Sequence, residues 1–380
     1  MLSPLLIIGV GGAGGKTIRA MKQELNRILE SSGYTDGIPA AWQFLQIDTT
    51  YDGVDFPAPM LPQDEFHCVV PRGSNYSDLL ASITARGSLH EQQGMLSGWA
   101  FPDPLISINQ SPSLVRAIGR VTIMADAGKT LQAIQASISK MKAPTALSEL
   151  AEVAKKLGAK APYFTPQAFI VSSLGGGSGS GMFTDVAELL KRATQDAWVG
   201  NAISFLYTPD VFASIGQVAN TIPKNTLGAM NELIASQWVE ISQQSELLYS
   251  KMGLTTGNNS GKRNYGCRDN ILIGARSKNG TNISYGAESA GMNEVFLNIG
   301  EALAGAISND AISDFILEHF LFRARHNLWQ SDSSGLTPGI NNVDNLVSNV
   351  SGIGFGKLSV GAKHLIDYVA DALTKSQVEY

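Results

Sequence analysis

The amino-acid sequence predicts an α/β protein with a mostly parallel sheet. Twice, near residue 5 and near residue 168, a short apolar run rich in β-branched and aromatic residues leads into glycines and then into a segment with helical spacing. This order of strand, glycine loop and helix is typical of α/β proteins. The chain has 380 residues, 44% of them hydrophobic, which is enough for one large α/β domain or for two domains.

The N-terminal segment predicts a first strand over residues 5–10, followed by a glycine loop and a helix. Two kinds of phosphate site fit this loop by spacing alone. Gly9, Gly11 and Gly14 match the dinucleotide fingerprint G-x-G-x-x-G, and residues 15–17 (Gly-Lys-Thr) look like the end of a P-loop that lacks its first glycine. The candidate nucleotide-binding residues of this loop are Gly11, Gly12, Ala13, Gly14 and Lys16.

Residues 168–190 form the most informative segment. A buried strand is predicted at residues 168–171, and five glycines and two serines follow within residues 175–181. A glycine loop before a helix exposes backbone N–H groups at the positive end of the helix dipole, where phosphate binds. Glycines let phosphate approach the backbone closely, and serines add hydroxyl donors. The candidate phosphate-binding residues are Gly175, Gly176, Gly177, Ser178, Gly179 and Ser180.

The helix after this second loop is predicted to be amphipathic, with Asp185, Glu188 and Lys191 on its polar side. A flexible Gly/Ser linker is the plain alternative for the loop, but apolar elements flank it on both sides. A nucleophile elbow requires G-x-S-x-G, and neither Ser178 nor Ser180 has glycines at both required offsets.

The sequence also predicts the remaining strands. They lie at residues 42–47, 66–70, 203–207, 271–275 and near 354–360. Asp48 and Thr49 follow the second strand. In dinucleotide-binding folds an acid at this place binds the ribose hydroxyls, and a simple turn or helix-capping aspartate is an equal alternative.

Between the third and fourth strands, residues 72–118 are predicted to be a long irregular segment. Arg116 and Arg120 then lead into one long helix that reaches residue 141. The two arginines either contact phosphate or are solvated at the start of the helix, and the sequence favours neither. Residues 143–167 are predicted to hold one short helix, and a long apolar helix is predicted from residue 295 onward.

Composition narrows the classes of function. The net charge is −5, only 16% of the residues are charged and there is no basic run, so nucleic acid is a poor candidate partner. Cys68 and Cys267 lie far apart and form no metal or redox motif, which favours a reducing, cytoplasmic setting. The five histidines have no metal-ligand spacing, so no metal site is expected from the protein alone. No stretch is long enough for a membrane span.

Together, these motifs resemble the tubulin/FtsZ superfamily. Residues 175–181 (GGGSGSG) are similar to its GGGTGSG signature, with Ser178 in place of threonine, and residues 9–15 (GVGGAGG) are similar to its first phosphate loop. Lys16 stands where the superfamily commonly has asparagine. The resemblance implies a Rossmann-type GTPase domain over residues 1–250, including a long central helix at about 224–250, and a smaller, divergent α/β C-terminal subdomain over 251–380.

The resemblance also implies roles for residues outside the glycine loops. Pro209 matches a proline-containing ribose loop after the fifth strand. In the superfamily the central helix begins with an aromatic residue that stacks on guanine, and an asparagine four residues later contacts the edge of the base. Leu227 and Asn231 hold these two positions here. The entry of Arg116 and Arg120 into their helix resembles that of large bacterial tubulin-like proteins, in which an arginine there can neutralise the γ-phosphate.

Polymerising members of the superfamily have an acidic loop, N-x-D-x-x-D, that enters the nucleotide site of the next subunit and orients the attacking water. Residues 251–260 hold no acid, although this is where the resemblance would place the loop. Residues 339–344 match G-x-x-N-x-D, which makes Asp344 the candidate catalytic acid. Asp310 and Asp314, on a predicted helix after Asn309, form a second and weaker candidate.

The function implied by this resemblance is that of a divergent prokaryotic tubulin-like protein. It would bind GTP or GDP with Mg²⁺ and self-assemble into filaments whose subunits complete one another's sites for hydrolysis. The alternative is a non-polymerising nucleotide-binding switch or scaffold of the same fold with little hydrolysis. A Rossmann dehydrogenase is a third possibility, but the second glycine loop would then have no role and no acid/base pair for hydride chemistry stands out.

Overall fold

The computed structural model describes residues 2–50, 55–70, 74–84, 115–162, 165–194, 202–213, 220–238, 249–250, 254, 267, 269–275, 288–314 and 350–352. The strands in this part of the chain are β1 (Leu5–Val10), β2 (Trp42–Asp48), β3 (Phe66–Cys68), β4 (Gln167–Ser173), β5 (Ala202–Tyr207), β6 (Asp269–Ile273) and β7 (Val350–Gly352). The α-helices are α1 (Gly11–Ser31), α2 (Tyr76–Thr84), α3 (Arg116–Ala125), α4 (Ala127–Met141), α5 (Pro144–Lys156), α6 (Gly177–Ala193), α7 (Thr221–Trp238) and α8 (Glu288–Ser308).

The strands form one sheet in the order β3-β2-β1-β4-β5-β6-β7. Every neighbouring pair is parallel, so the predicted α/β class with a parallel sheet is confirmed. Strands β1 and β5 are buried along their whole length, as expected where helices cover both faces of a sheet. Strands β2 and β3 follow β1 toward one edge of the sheet, and strands β5, β6 and β7 follow β4 toward the other edge. The boundary between β1 and β4 is therefore the topological switch point, where ligands bind in open α/β sheets.

The strands predicted from the sequence are confirmed at the six positions that the structure describes. The observed bounds differ from the predicted ones by at most two residues, which is the usual uncertainty at the ends of elements. The last predicted strand, near residues 354–360, lies outside the described residues. Strand β7 lies a few residues earlier in the chain and pairs with β6.

Both glycine loops are shorter than the sequence predicts, because each helix starts inside its glycine run. Helix α1 begins at Gly11, directly after β1, and α6 begins at Gly177. Most of the glycines therefore lie in the first turns of two helices. Their backbone N–H groups are among those that a helix leaves without an intrahelical partner.

The region between β3 and β4 is more helical than predicted. Helix α2 lies inside the segment for which the sequence predicts no regular structure, and its Tyr76, Leu79 and Ile83 are buried on one face. The single long helix predicted up to residue 141 is divided into α3 and α4 at Asp126. The Asp126 carboxylate accepts hydrogen bonds from Thr130 and contacts His67 at 2.6 Å. These side-chain contacts stabilise the break, since aspartate competes well with helical backbone bonding.

Helix α6 lacks the polar face that its sequence predicts. Asp185, Glu188 and Lys191 are only 0%, 1% and 4% exposed, because α3, α4 and α7 all pack against α6. The buried acids have partners: the Tyr249 hydroxyl donates to Asp185 at 2.6 Å, and Arg192 lies 3.3 Å from Glu188. Such pairing is needed because an isolated buried charge is very costly.

Elements from beyond residue 250 belong to the same unit as those before it. Strands β6 and β7 extend the sheet next to β5. Helix α8 packs along α1, with Gly300 at the closest approach: a Cβ there would lie 2.7 Å from the Thr17 carbonyl oxygen. The expected division at residue 250 lies between α7 and β6 in the chain, and it stays a prediction. None of the helices in the described ranges is long and apolar enough to cross a membrane.

The contact at Gly300 gives a stability prediction with a control on the same helix. Gly300→Ala should lower the free energy of unfolding by about 1–3 kcal/mol, because the added methyl group forces α8 away from the backbone of α1. Gly305→Ala should instead be neutral or stabilising by about 0.5–1 kcal/mol, since nothing lies within 4 Å of a Cβ there and alanine favours the helix. Urea denaturation measures both changes, and equal effects would contradict the close packing of α1 and α8.

Candidate functional site

A cavity of about 280 Å³ opens at the switch point, beyond the carboxyl ends of the parallel strands. It draws its walls from four parts of the fold: the start of α1, the end of β2 with the loop that follows, the start of α6, and α8. Six of its lining residues are Gly12, Lys16, Asp48, Thr49, Ser178 and Asn293. Five of these six residues are predicted from the sequence, and Asn293 is not.

The first turns of α1 and α6 touch each other beside this cavity. Gly11 has a φ of +70°, which favours glycine, and a Cβ on it would lie 2.7 Å from the Gly179 backbone nitrogen. The contact brings two positive helix ends together, so an anion in the cavity would interact with both. Gly12 is exposed and has nothing within 4 Å of a Cβ position, so this part of the cavity stays open.

The loop after β2 joins the second glycine segment through side chains. The hydroxyl groups of Thr49 and Ser178 lie 3.1 Å apart. Asp48 is buried, and its Oδ1 accepts a hydrogen bond from the Thr49 backbone N–H at 2.7 Å. The structure therefore brings these three predicted residues together, with a carboxylate and two hydroxyls on one wall of the cavity.

Ser180, by contrast, turns away from the cavity. It is completely buried, and its hydroxyl donates to the Gly176 carbonyl one helical turn back. Its own carbonyl accepts hydrogen bonds from Arg116 at 3.1 and 3.3 Å. Arg116 also donates to Glu232 of α7 at 2.6 Å, so it links α3, α6 and α7. Arg120 lies 3.5 Å from Asp185 in the middle of α6.

The site residues predicted after β5 lie on two separate elements. Pro209 starts a short 3₁₀ turn, Pro209–Phe212, directly beyond the strand. On α7, Asn225 donates to the Gly175 carbonyl at 3.0 Å and so holds the second glycine segment. Leu227 is 65% exposed and Asn231 is also exposed. Neither lines the cavity in the part of the chain that the structure describes, and the candidate acid Asp344 lies outside that part.

Asn293 is one of several lining residues that sequence reasoning missed; the others are Arg19, Gln46, Thr50, Asp55 and Phe56. Asn293 lies near the start of α8, and its Oδ1 accepts a hydrogen bond from the Lys16 ammonium at 3.4 Å. The ammonium also lies 5.8 Å from the centre of the Phe56 ring and 6.0 Å from that of Phe296. The resemblance pointed to Asn231, and Asn293 is likewise an asparagine on a largely apolar helix. Only the packing of α8 on α1 distinguishes the two.

The geometry does not support the P-loop interpretation of the first glycine segment. A P-loop threonine presents its hydroxyl to a bound magnesium ion. Thr17 is instead fully buried, where its hydroxyl donates to the Ala13 carbonyl and contacts the Tyr207 hydroxyl at 2.7 Å. Burial raises the pKa of Tyr207 well above its ordinary value, so the Thr17 hydroxyl faces a neutral phenol and not the cavity.

One comparison with known proteins identifies a family. A family model described as "Tubulin like" matches residues 6–379, nearly the whole chain. Among curated proteins, none matches. Among solved structures, CetZ from Methanosaeta thermophila strain DSM 6194 is similar at 12% identity and a TM-score of 0.40, covering 84% of this chain and 55% of that one. CetZ2 from Haloferax volcanii, titled as a GTPgS-bound protofilament, is similar at 14% identity and a TM-score of 0.37, covering 80% and 58%. The chain thus spans less than two thirds of each.

The contacts of Arg116 predict a role in holding the second glycine segment. Arg116→Met should lower the free energy of unfolding by about 1–3 kcal/mol, because the Glu232 carboxylate and the Ser180 carbonyl lose a charged donor. Arg27→Met is the matched control. Arg27 pairs with Glu24 at 2.5 Å, but its side chain is 68% exposed, so we expect less than about 0.5 kcal/mol. Chemical denaturation distinguishes the two variants, and equal losses would contradict the assigned role.

Proposed function

The chain belongs to the tubulin-like family, and from this premise we propose that it binds GTP and GDP, with Mg²⁺, in the cavity between β1 and β4. We further propose that GTP is hydrolysed when subunits assemble into filaments in the cytoplasm. The observation that carries the proposal is the meeting of two helix N-termini, at Gly11 and Gly179, beside an open cavity.

In this proposal the phosphates bind between the first turns of α1 and α6. Gly12 and Ala13 on one side and Gly177 and Ser178 on the other offer backbone N–H groups that the helices leave without intrahelical partners. The absence of a Cβ at Gly12 leaves room for a phosphate oxygen. The hydroxyls of Ser178 and Thr49 add two donors that can turn toward the ligand. Such preorganised donors need no rearrangement when charge develops on the phosphates.

The residues of the cavity also fit Mg²⁺. In the described ranges no group of three His, Cys, Asp or Glu side chains lies close enough to hold a metal ion alone. Mg²⁺ in nucleotide sites is usually held by phosphates and water together with one or two protein oxygens. Asp48 and Thr49 supply a carboxylate and a hydroxyl on the wall where this would occur. The ion would neutralise phosphate charge there. Asp48 would contact either the ion or the ribose.

In this proposal, filament assembly supplies the acid that orients the attacking water. Helix α8 runs from Asn293 in the cavity to Ser308, a length of about 22 Å. Asp310 and Asp314 follow at this far end, where both lie near Lys160. They are too distant to serve the cavity of their own chain. In a head-to-tail assembly they would approach the nucleotide of the next subunit, and Asp344 remains the other candidate for this role.

Lys160 also supports the alternative function. Its backbone N–H donates to Asp310 at 3.2 Å, and its ammonium lies 3.5 Å from Asp314. Both acids are therefore engaged within one chain. If assembly does not release them, the protein would bind nucleotide without hydrolysing it and would act as a switch or scaffold.

A turnover assay tests hydrolysis and assembly together. GTP turnover per molecule should rise cooperatively with protein concentration, in step with light scattering, because the site is completed between subunits. We compare the variants Asp310→Ala, Asp314→Ala and Asp344→Ala. The variant that removes the water-orienting acid should lose about 100-fold or more in turnover, with GTP affinity unchanged. Asp64→Ala, at an exposed acid on another face, is the control. Tight GTP binding with a flat, negligible rate would overturn the filament proposal and leave the switch.

Binding itself is tested at Gly12. Gly12→Ala should weaken GTP binding by about tenfold, or about 1.4 kcal/mol, because the new methyl group occupies space that phosphate needs. Thermal stability should not fall, since nothing lies within 4 Å of that methyl position. Gly128→Ala is the matched control, an exposed helical glycine on α4 that is equally free of neighbours. Calorimetric titration that finds equal GTP affinity in both variants would contradict phosphate binding at α1.

A further inference from the structure

We propose that Gln46 of β2 is a catalytic residue that orients the attacking water, so that a single chain hydrolyses GTP slowly without a neighbour. This inference rests on the nucleotide-binding function proposed above and deepens it. The acid of a neighbouring subunit would then accelerate a reaction that each chain already supports. The observation behind the inference is a buried amide oxygen on the cavity wall that has no hydrogen-bond partner in the described part of the chain.

Gln46 is a polar residue in the interior of the sheet. Its backbone pairs with Gly9 of β1 and with Phe66 of β3, and the residue is only 3% exposed. Buried polar atoms almost always have a hydrogen-bond partner, and each exception needs an explanation. Gln46 Oε1 is such an exception among the described residues. Because Gln46 forms part of the cavity wall, a molecule bound in the cavity can supply the donor that this oxygen needs.

The first turn of α1 fixes the position of the Gln46 amide. A Cβ on Gly15 would lie 2.3 Å from Gln46 Nε2 and 2.8 Å from Oε1, so the amide packs directly against the Gly15 backbone. Gly15 follows Gly12 by three residues, a rise of about 4.5 Å along the helix. A phosphate held by the N–H groups of Gly12 and Ala13 is therefore separated from the amide by about one water molecule.

A glutamine amide has the right hydrogen-bonding groups to hold that water. Its oxygen accepts hydrogen bonds and its nitrogen donates two, so Oε1 can accept from the water while Nε2 donates to an oxygen of the γ-phosphate. The side chain is neutral and does not repel the phosphates. In P-loop GTPases a glutamine orients the attacking water. The position of Gln46 on a central strand also keeps the amide rigid, as a catalytic group requires.

Asp48 is the other acceptor on this wall of the cavity. It lies two residues after Gln46 on β2, and alternate residues of a strand share a face. Asp48 Oδ1 already accepts a hydrogen bond from the Thr49 backbone N–H at 2.7 Å, and the function proposed above assigns its carboxylate to Mg²⁺ or to the ribose. The wall thus divides between Asp48, which contacts the ion or the sugar, and Gln46, which contacts the water.

The reaction needs no reactant besides GTP and water. The water oxygen forms a bond to the γ-phosphorus while the bond from that phosphorus to the β–γ bridging oxygen breaks. The proton released by the water passes to a phosphate oxygen, and the products are GDP and inorganic phosphate. Gln46 gains and loses no proton, so its contribution is the placement of the water in line with the bond that breaks.

The experiment measures GTP turnover at protein concentrations below the onset of light scattering, where each chain acts alone. The wild type should show a slow rate per molecule that does not depend on concentration. Gln46→Met, which replaces the amide by a thioether of similar length, should lower this rate at saturating GTP about 10- to 100-fold. GTP affinity should be nearly unchanged, and thermal stability should not fall, because the oxygen that is removed has no partner among the described residues.

Two further variants separate catalysis from packing. Gln46→Glu keeps the shape and an acceptor oxygen, so it should retain more turnover than Gln46→Met, and its rate relative to the wild type should rise with pH as the carboxylate ionises. Gln43→Met is the control on the same strand, because Gln43 Nε2 donates to the Ala40 carbonyl at 2.7 Å outside the cavity. It should turn over GTP as the wild type does. If Gln46→Met does not fold, the pH profile of Gln46→Glu decides in its place.

The inference is overturned if Gln46→Met turns over saturating GTP as fast as the wild type, or if its loss is matched by Gln46→Glu at every pH, since the side chain would then only pack against α1. A wild type that binds GTP but shows no turnover below the scattering threshold also overturns it and leaves the proposed binding intact. A wild type that does not bind GTP would instead refute the proposed function itself.

Discussion

The contact between the first turns of α1 and α6 is the constraint on which the site depends. Because β1 and β4 are neighbours in a parallel sheet, the helices that follow them start side by side, and only a residue without a Cβ fits where Gly11 meets the Gly179 backbone. Two positive helix ends then share one small space. The partners of α6 maintain this arrangement: Asn225 holds the Gly175 carbonyl, and Arg116 holds the Ser180 carbonyl.

The burial of α6 extends this constraint across the molecule. Its charged residues are enclosed by α3, α4 and α7, so each needs a partner inside the protein. Asp185 finds Tyr249 and Arg120, while Arg192 lies against both Glu188 and the Tyr249 ring. Removing one member would leave another charge buried without compensation, which is far more costly than replacing the whole set. The first turn of α6 borders the cavity, and the rest of the helix is held by Tyr249, which follows α7 in the chain.

Much of this fold can be predicted from the sequence, because strand composition and glycine-to-helix transitions are local signals. Both glycine segments lie at the ends of predicted strands, and Asp48 follows β2 as expected. The failures involve tertiary packing. The charges of Asp185 and Glu188 predict a polar helix face, since no local signal reveals the helices that cover it. An asparagine on an apolar helix occurs on both α7 and α8, and only tertiary packing separates them, since α8 packs on α1 and brings Asn293 to the cavity.

The position of α8 has a further consequence for assembly. One end of the helix contributes Asn293 to the cavity, and the other end, about 22 Å away along the helix axis, leads to Asp310. In the proposed function, a ligand-binding end and an acidic end this far apart cannot meet within a single chain. They can meet between two chains only if the surfaces that join are different, which is a heterologous contact. Such contacts repeat without closing unless a rotation makes a ring, so they produce filaments. A chain with this layout would therefore couple nucleotide chemistry to growth in one direction.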